Sequence, residues 1–209
     1  MGEGTCLRVA GLFAGSAIAR SGEPSTGSGP RDGLMVDVPS EPLLHRRPTV
    51  RRARIADVRK IKALVDSDAG TVLLEKDLVT LYESVQEFWV VEDGDDVLGC
   101  GALHVLWEDI AELRTIAVDK DTRGRGIGHA LVDQLIGFAR EIGLKRLFVL
   151  TFETHFFSGH GFVEIDGTPV TQEVYEEMRR SADPGVAEFL DLPYVKPNTL
   201  GNSRMLLEL

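Results

Sequence analysis

The sequence contains little of what marks several specialised classes of protein. Its two cysteines, Cys6 and Cys100, lie far apart in 209 residues and offer neither a disulfide framework nor a metal-ligand spacing. No apolar run reaches the ~20 residues that a membrane-spanning helix needs. Basic residues number 23 against 33 acidic ones, and the net charge of -10 disfavours nucleic acid or an anionic membrane as a partner. These absences predict a reduced, cytoplasmic protein without a metal site.

The composition that remains is that of a soluble globular protein, with 43% hydrophobic and 27% charged residues. Residues 1–47 differ from the rest, because the stretch from Ser21 to Gly33 is rich in glycine, proline and serine. We therefore predict a disordered tail over residues 1–47 and one folded domain over residues 48–209. Residues 1–34 are expected to be dispensable, so that a chain starting at Met35 folds.

Hydrophobic periodicity divides the folded part into strands and helices. Strands are predicted at 49–54, 88–92, 97–106, 110–118, 146–150, 161–165 and 203–209. Helices are predicted after Asp57, which can cap the first, along the stripe from Leu74 to Val85, and at 127–142, 154–159 and 171–181. Antiparallel hairpins followed by one strand–helix–strand crossover indicate an α+β fold with a mixed sheet of six to seven strands.

The most informative stretch joins an apolar strand, Ile116-Ala117-Val118, to the loop Arg123-Gly124-Arg125-Gly126-Ile127-Gly128 and then to a helix. Glycines let successive N–H groups converge, and a helix start adds unpaired N–H groups and a positive dipole end. This combination predicts an anion site suited to a pyrophosphate. The alternative is a glycine-rich turn with two solvated arginines.

Two common phosphate loops do not fit this stretch. A Walker loop has Lys-Ser/Thr after its last glycine, whereas Gly128 is followed by His129-Ala130. A dinucleotide fingerprint has a further glycine at the position of His129. The pattern Arg123-x-x-Gly126-x-Gly128 resembles the Arg/Gln-x-x-Gly-x-Gly/Ala loop of the GNAT acetyltransferases, which holds the pyrophosphate of acetyl-CoA. From Val50 to Leu209 the chain is similar to the short, stand-alone N-acetylglutamate synthases of actinobacteria. The stretches that carry this similarity are Leu73 to Lys76, Cys100 to Leu103, Leu147 to Thr151, and Lys196 to Leu207.

The resemblance implies a GNAT fold, acetyl-CoA as co-substrate and L-glutamate as acceptor. It implies that the main chain of Ile116, Ala117 and Val118 binds the pantetheine arm, although their side chains can equally serve core packing. The pyrophosphate would be bound by the loop, with His129 at its rim. The loop residues concerned are Arg123, Gly124, Arg125, Gly126, Ile127 and Gly128.

An α-amino group arrives as an ammonium, so the reaction needs a base near the acyl carbon. Glu112 stands six residues before Val118 on the same predicted strand, where many family members hold a catalytic glutamate. Strand alternation places Glu112 and Arg114 on the same face as Ile116 and Val118 if no bulge intervenes. The alternative is a solvated charge on the strand.

The leaving thiolate also needs a proton or strong solvation. Many family members use a tyrosine here, and this chain has Phe157 at that position. Thr154 stands where glutamate-acetylating relatives place a serine, so it is the candidate acid, with a helix-capping role or a water as the alternatives.

Recognition of a dicarboxylate requires separated cations or hydroxyls. The resemblance assigns Lys76 to the α-carboxylate, and Ser203 and Arg204 to the side-chain carboxylate. Relatives have a further arginine where this chain has Gly201, a loss for which Arg114 or Lys196 could compensate. Glutamine or another amine therefore stays an alternative acceptor, and a non-catalytic acetyl-CoA sensor an alternative function. Oligomeric state is open, with a homodimer among the alternatives.

Overall fold

The computed structural model describes residues 48–68, 76–194 and 202–209. The predicted tail over residues 1–47 lies outside these ranges, as do Leu74, Lys196 and Gly201. In the described part of the chain, seven strands form one sheet in the order β1-β2-β3-β4-β5-β7-β6. The strands are β1 (Thr49–Arg52), β2 (Phe88–Asp93), β3 (Asp96–Val105), β4 (Ile110–Val118), β5 (Arg146–Thr151), β6 (Val163–Glu164) and β7 (Ser203–Glu208).

Only β4 and β5 pair in parallel among these strands, and every other neighbouring pair is antiparallel. The predicted mixed sheet of an α+β fold is therefore confirmed. Its helices, within the described ranges, are α1 (Val58–Asp68), α2 (Leu78–Glu83), α3 (Ile127–Glu141), α4 (Thr154–Ser158), α5 (Gln172–Met178) and α6 (Pro184–Phe189). None of these helices is long and apolar enough to cross a membrane.

Helix α3 is the parallel crossover and covers one face of the sheet. Its buried stripe includes Leu131 and Leu135, which are completely shielded from solvent, and the chain leaves the helix at Gly143 with φ of +91°. The opposite face carries two separate apolar clusters. One lies with α1 and α2 around Ile61 and Cys100, and the other with α5 and α6 around Phe148 and Phe189.

A β-bulge interrupts the pairing of β3 with β4. Cys100 pairs with Ala117 and Ala102 with Arg114, so two residues of β4 oppose Gly101 alone. One of these two, Thr115, has φ of +58°. A Cβ atom at Gly101 would lie 2.5 Å from the Ile116 side chain and 3.0 Å from that of Leu131, so a larger residue here would displace the ends of these side chains.

One sequence expectation about a helix start is wrong, and one helix has no counterpart among the predictions. Asp57 does not cap α1, because its carboxylate accepts the Arg54 amide at 2.7 Å and pairs with the Arg51 guanidinium at 2.7 Å. Helix α6 was not expected at all. It begins with Asp183 as N-cap, whose carboxylate accepts the Gly185 amide at 2.7 Å, and with Pro184 in the first turn. A capping residue followed by proline is a recognised start signal.

Candidate active site

The strands β4 and β5 separate at the centre of the sheet. Their parallel ladder holds only the pairs from Ile110 to Glu112 on β4 with Arg146 to Phe148 on β5. Beyond Glu112, β4 continues through the bulge to Val118, whereas β5 pairs along its whole length with β7 on its other side. The main chain of β4 from Arg114 onward, which includes Ile116, Ala117 and Val118, therefore borders an opening on the β5 side.

The loop from Asp119 to Gly128, here called the glycine loop, joins β4 to α3. Gly124 and Gly126 have φ of +81° and +79°, a backbone region that glycine adopts without strain. Within the described residues, no backbone carbonyl accepts the amides of Gly124, Gly126, Ile127, Gly128 or His129. The amides of Asp119, Thr122 and Arg125 are engaged, with the carbonyls of Leu98, Asp119 and Thr122 at 2.8, 3.1 and 3.3 Å. The glycine loop thus presents a set of free amides beside a 15-residue helix start.

The cations of the glycine loop are exposed. Arg125 forms a loose ion pair of 3.8 Å with Asp93, in which both side chains reach solvent. Arg123 follows a short 3-10 turn at Lys120–Thr122 and is also exposed. Because exposed pairs of this kind contribute little to stability, Arg125 can exchange Asp93 for another anion at small cost.

Glu112 lies at the point where β4 and β5 part. It is 6% exposed, and its Oε2 atom has no hydrogen-bond partner among the described residues. Burial raises the pKa of Glu112 to about 7, against the opposing charges of Arg114 and His104, while Glu188 and Asp183 raise it further. A carboxyl group with these properties can exchange a proton near neutral pH.

The bulge sets the face of the sheet on which the side chains of this strand lie. Ile116 and Val118 pack on the α3 side together with Ala111 and Leu113. Glu112 and Arg114 alternate with Ala111 and Leu113, so they face the opposite side of the sheet. The shared face was expected only without a bulge, and the extra residue at Thr115 reverses the alternation, so Glu112 and Arg114 lie on the face opposite to Ile116 and Val118.

Arg114 belongs to a closed ring of four charged or titratable groups. Its Nη2 donates to Glu87 at 2.8 Å, and its Nη1 donates to both oxygens of Asp183 at 3.1 Å. His104 completes the ring, with Nδ1 3.0 Å from Glu87 and Nε2 3.7 Å from Asp183. Together with Glu112, these residues are here called the charged cluster. It occupies the polar gap between the two apolar clusters on this face.

The ionisation of the charged cluster follows from these contacts. Burial opposes the charge on Glu87, but the His104 hydrogen bond and the Arg114 charge lower its pKa below the usual range. Burial likewise opposes the charge on Asp183, and the charge and hydrogen bonds of Arg114 lower its pKa. Both carboxylates are therefore ionised at neutral pH, and Glu112 is the one carboxyl of the charged cluster whose pKa is raised.

Lys76 and Glu188 border the charged cluster. Burial and the charge of Arg114 lower the pKa of Lys76, while Asp183, Glu112 and Glu87 act in the opposite direction. Burial raises the pKa of Glu188, and Lys76 opposes that rise. Among the predicted substrate residues, Lys76 and Arg204 therefore lie within electrostatic reach of Glu112, besides Arg114.

Ser203 and Arg204, the substrate residues predicted on the last strand, already have partners within the protein. Arg204 donates from its guanidinium to the carbonyls of Gly167, Glu188 and Phe189, and it lies over the Phe148 ring at 4.9 Å. These bonds hold β7 against the end of α6. Ser203 Oγ lies 3.4 Å from the Glu164 carboxylate, at a pocket of about 370 Å³. Lys196 falls outside the described residues.

Thr154 is the first residue of α4, just beyond the carboxyl end of β5, and its side chain is half-buried. Glu153 occupies the N-cap position of this helix, so Thr154 is not the cap. Phe157, at the position of the family's tyrosine, is buried in the core under α3. No group of three or more His, Cys, Asp or Glu side chains among the described residues could hold a metal ion.

Comparison with known proteins agrees with this architecture. Residues 59–162 match the acetyltransferase (GNAT) family model. An amino-acid acetyltransferase of Mycobacterium tuberculosis is 68% identical over 166 residues, which is 78% of this chain and 95% of that protein. An amino-acid acetyltransferase of Yersinia enterocolitica is 32% identical over 72% of this chain, which spans 35% of that longer protein.

Solved structures show the same fold. A crystal structure of an M. tuberculosis protein in complex with CoA and the compound abbreviated NLQ shares 67% identity, with a TM-score of 0.75 over 78% of this chain and 99% of that one. N-acetylglutamate synthase of Neisseria gonorrhoeae, at 24% identity and a TM-score of 0.62, shares the fold over 78% of this chain and 35% of its own. Given near-complete coverage of the mycobacterial relative at this identity, the chain belongs to the GNAT family of acetyltransferases.

Proposed function

We propose that the protein transfers the acetyl group of acetyl-CoA to the α-amino group of L-glutamate. The observation that carries the proposal is Glu112, a buried carboxyl group where β4 and β5 part, one oxygen of which has no partner in the described part of the chain. The name of the mycobacterial relative, an amino-acid acetyltransferase, supports the reaction class. The acceptor follows from the resemblance to N-acetylglutamate synthases.

The glycine loop fits acetyl-CoA as the co-substrate. Five free amides and the exposed Arg123 and Arg125 match a diphosphate, and the open side of β4 offers peptide groups to the pantetheine arm. A hydrogen bond to a charged group contributes about 1.5–3 kcal/mol, so a few amides suffice for useful affinity. When bound, acetyl-CoA supplies an acetyl group activated as a thioester.

Glu112 is the proposed base that takes a proton from the substrate ammonium, directly or through a water. Its pKa of about 7 leaves a large share of the group ionised at neutral pH and still basic enough to accept a proton. The ionised Glu87 and Asp183 add negative charge around it, which favours an incoming ammonium. Thr154 is proposed to donate to the departing thiolate from the far side of the opening.

The acceptor carboxylates are assigned to the predicted cations and hydroxyl. Lys76 is proposed for the α-carboxylate, because it borders Glu112 and its neighbours Glu87 and Asp183. Ser203, Arg204 and Lys196 are proposed for the side-chain carboxylate, with Arg114 as a substitute for the arginine that Gly201 replaces. For Arg114 and Arg204, substrate binding would require the exchange of existing partners.

L-Glutamine is a second candidate acceptor. Its side chain is uncharged, and the two described arginines near the site already donate to protein acceptors, Arg114 to carboxylates and Arg204 to carbonyls. A neutral amide needs neither guanidinium, so this arrangement favours glutamine more than it favours a second carboxylate.

The deciding experiment is a steady-state screen of the purified protein with acetyl-CoA against the twenty amino acids, read by thiol release. Glutamate is expected among the best acceptors. A ranking in which glutamine exceeds glutamate supports the second candidate, and a ranking without either overturns the proposal. Glu112→Gln separates an enzyme from a non-catalytic sensor, because only an enzyme loses its turnover while CoA affinity, measured by calorimetry, is kept.

A further inference from the structure

Beside the glycine loop, three side chains form a chain of hydrogen bonds that the proposed reaction does not use. Asp133 Oδ1 lies 3.0 Å from Nδ1 of His160, and Nε2 of His160 lies 2.9 Å from Nδ1 of His129. The two imidazole rings also pack against Phe156, with centroid separations of 4.8 and 5.1 Å. His129 occupies the first turn of α3, directly after Gly128.

The burial of the three groups differs along the chain. The His160 side chain is 7% exposed, whereas Asp133 is 70% exposed and His129 is exposed. The buried ring therefore links a solvated carboxylate of α3 to an accessible imidazole at the loop. Among the described residues, the titratable groups linked to His129 are His160, from the turn after α4, and Asp133 behind it. Phe156, which packs against both imidazole rings, is uncharged.

The hydrogen bonds fix the number of protons on the histidine pair. An ionised Asp133 can only accept, so His160 Nδ1 carries a proton. One further proton lies between His160 Nε2 and His129 Nδ1. In the neutral pair that proton belongs to His129 Nδ1, which leaves His129 Nε2 with a lone pair. A phosphate oxygen also only accepts, so it can bond to His129 Nε2 only after the pair gains one more proton.

We propose that His129 binds a phosphate group of the cofactor and that this contact is coupled to uptake of one proton by the His129–His160 pair. The added positive charge then lies between the phosphate and the Asp133 carboxylate, which favours it from both sides. The inference rests on the proposed binding of acetyl-CoA at the glycine loop. The phosphate concerned is one of the diphosphate or the 3′-phosphate of CoA.

The test is isothermal titration calorimetry of CoA into the full-length protein in buffers of different ionisation enthalpy, which counts protons taken up on binding. Above about pH 7.5, where a free histidine is mostly neutral, we expect uptake of nearly one proton by the wild type. We expect the CoA affinity to fall about tenfold between about pH 6 and about pH 8, because each coupled proton changes the binding constant with pH.

The variant His129→Asn should lose this excess proton uptake and the associated pH dependence, while His155→Asn, the same change at an exposed histidine of α4, should keep both. Subtracting the proton uptake of His129→Asn from that of the wild type removes the contribution that titration of the phosphate itself makes. Repetition with dephospho-CoA identifies the phosphate: an unchanged difference indicates the diphosphate, and a lost difference indicates the 3′-phosphate.

Asp133→Asn, a change at the exposed end of the chain, should reduce the proton uptake without removing the imidazole. Equal proton counts for wild type and His129→Asn with both nucleotides would overturn the inference while leaving the proposed function intact. Failure of the wild type to bind CoA at all would instead overturn the proposed cofactor, and with it this inference. Thermal unfolding of each variant, expected within about 2 °C of the wild type for exposed positions, verifies the fold.

Discussion

The glycine loop and the charged cluster are built in opposite ways. The glycine loop uses backbone groups that are consecutive in the chain, held by two left-handed glycines at the start of α3. The charged cluster uses side chains from four places, the turn before β2, the strands β3 and β4, and the cap of α6. A site made from consecutive backbone groups is determined locally, whereas a site made from distant side chains depends on how the whole sheet is assembled.

This contrast predicts that cofactor binding and proton transfer can be damaged separately. Glu112→Gln keeps the size of the side chain and removes its basicity. We expect turnover with the preferred amino acid to fall at least about 100-fold, because general base catalysis contributes about 10²–10⁴-fold. The affinity for CoA, measured by calorimetry, should stay within about twofold of the wild type.

A matched control for that variant is Glu141→Gln, at the exposed end of α3, which should change neither quantity. Turnover of Glu112→Gln close to that of the wild type would remove Glu112 from the mechanism. The pH profile provides a second criterion. Wild-type turnover should decline as pH falls below about 7, where Glu112 becomes protonated, and the residual activity of Glu112→Gln should lack that limb.

Ionisation of Glu112 should also lower the free energy of unfolding. The pKa of Glu112 is raised on folding, from 4.5 to about 7, so the folded state prefers the protonated form. Stability from this group is therefore complete below about pH 4.5 and is lost as pH rises through about 7. A difference of this size corresponds to about 3 kcal/mol.

Glu112→Gln, which cannot ionise, should accordingly be more stable than the wild type at about pH 8 and nearly equal to it at about pH 5. Urea unfolding at both pH values measures this difference. If the difference in stability between Glu112→Gln and the wild type is the same at both pH values, folding does not raise the pKa of Glu112.

The glycine loop should respond to changes of backbone freedom instead. Gly126→Ala places an alanine at φ of +79° with no atom within 4 Å of the new Cβ, so the effect is conformational strain alone. Strain of this kind costs about 1–2 kcal/mol. We expect lower stability and a CoA affinity weakened about tenfold, because relief of the strain moves the free amides.

Gly137→Ala is the matched control, since Gly137 lies within α3 and its added Cβ also meets nothing within 4 Å. Here φ is not positive, so alanine should raise the stability by about 0.5–1 kcal/mol and leave CoA affinity unchanged. Equal CoA affinities for Gly126→Ala and Gly137→Ala would show that the loop conformation does not control cofactor binding.

The predictability of the two regions differs for the same reason. The glycine loop could be identified from its residues, because its function depends on glycine spacing and a helix start. The face of the sheet on which Glu112 lies could not be identified from the sequence, since one extra residue at Thr115 reverses the strand alternation. This bulge had a signal in Gly101, whose missing side chain makes room for Ile116 and Leu131.

Helix α6 shows a second kind of failure. Asp183-Pro184 is a start signal that sequence reasoning could have used, but the helix has only six residues and its apolar face is short. Its contribution to the charged cluster could not be inferred, because Asp183 meets Arg114 from 69 positions away. Contacts of this range are set by the packing of α6 on β4 and β5, not by any local pattern.

The smallest predicted effect tests whether α6 positions Glu112. A Cβ atom at Gly185 would lie 2.9 Å from Oε2 of Glu112 and 3.2 Å from Nη1 of Arg114. Gly185→Ala should therefore displace the buried carboxylate by a few tenths of an ångström and reduce turnover about threefold to tenfold, since misplaced catalytic groups lose rate steeply. The CoA affinity should not change, because the three atoms nearest to the new Cβ all belong to the charged cluster.

The matched control is Ala187→Gly, which removes a Cβ two residues further along the same helix without adding an atom near Glu112. It should lower stability by about 1 kcal/mol and leave the turnover of the folded enzyme unchanged. If Gly185→Ala and Ala187→Gly change turnover to the same extent, α6 acts only through general stability. A loss of turnover confined to Gly185→Ala would show that α6 influences the reaction through its contact with the Glu112 carboxylate.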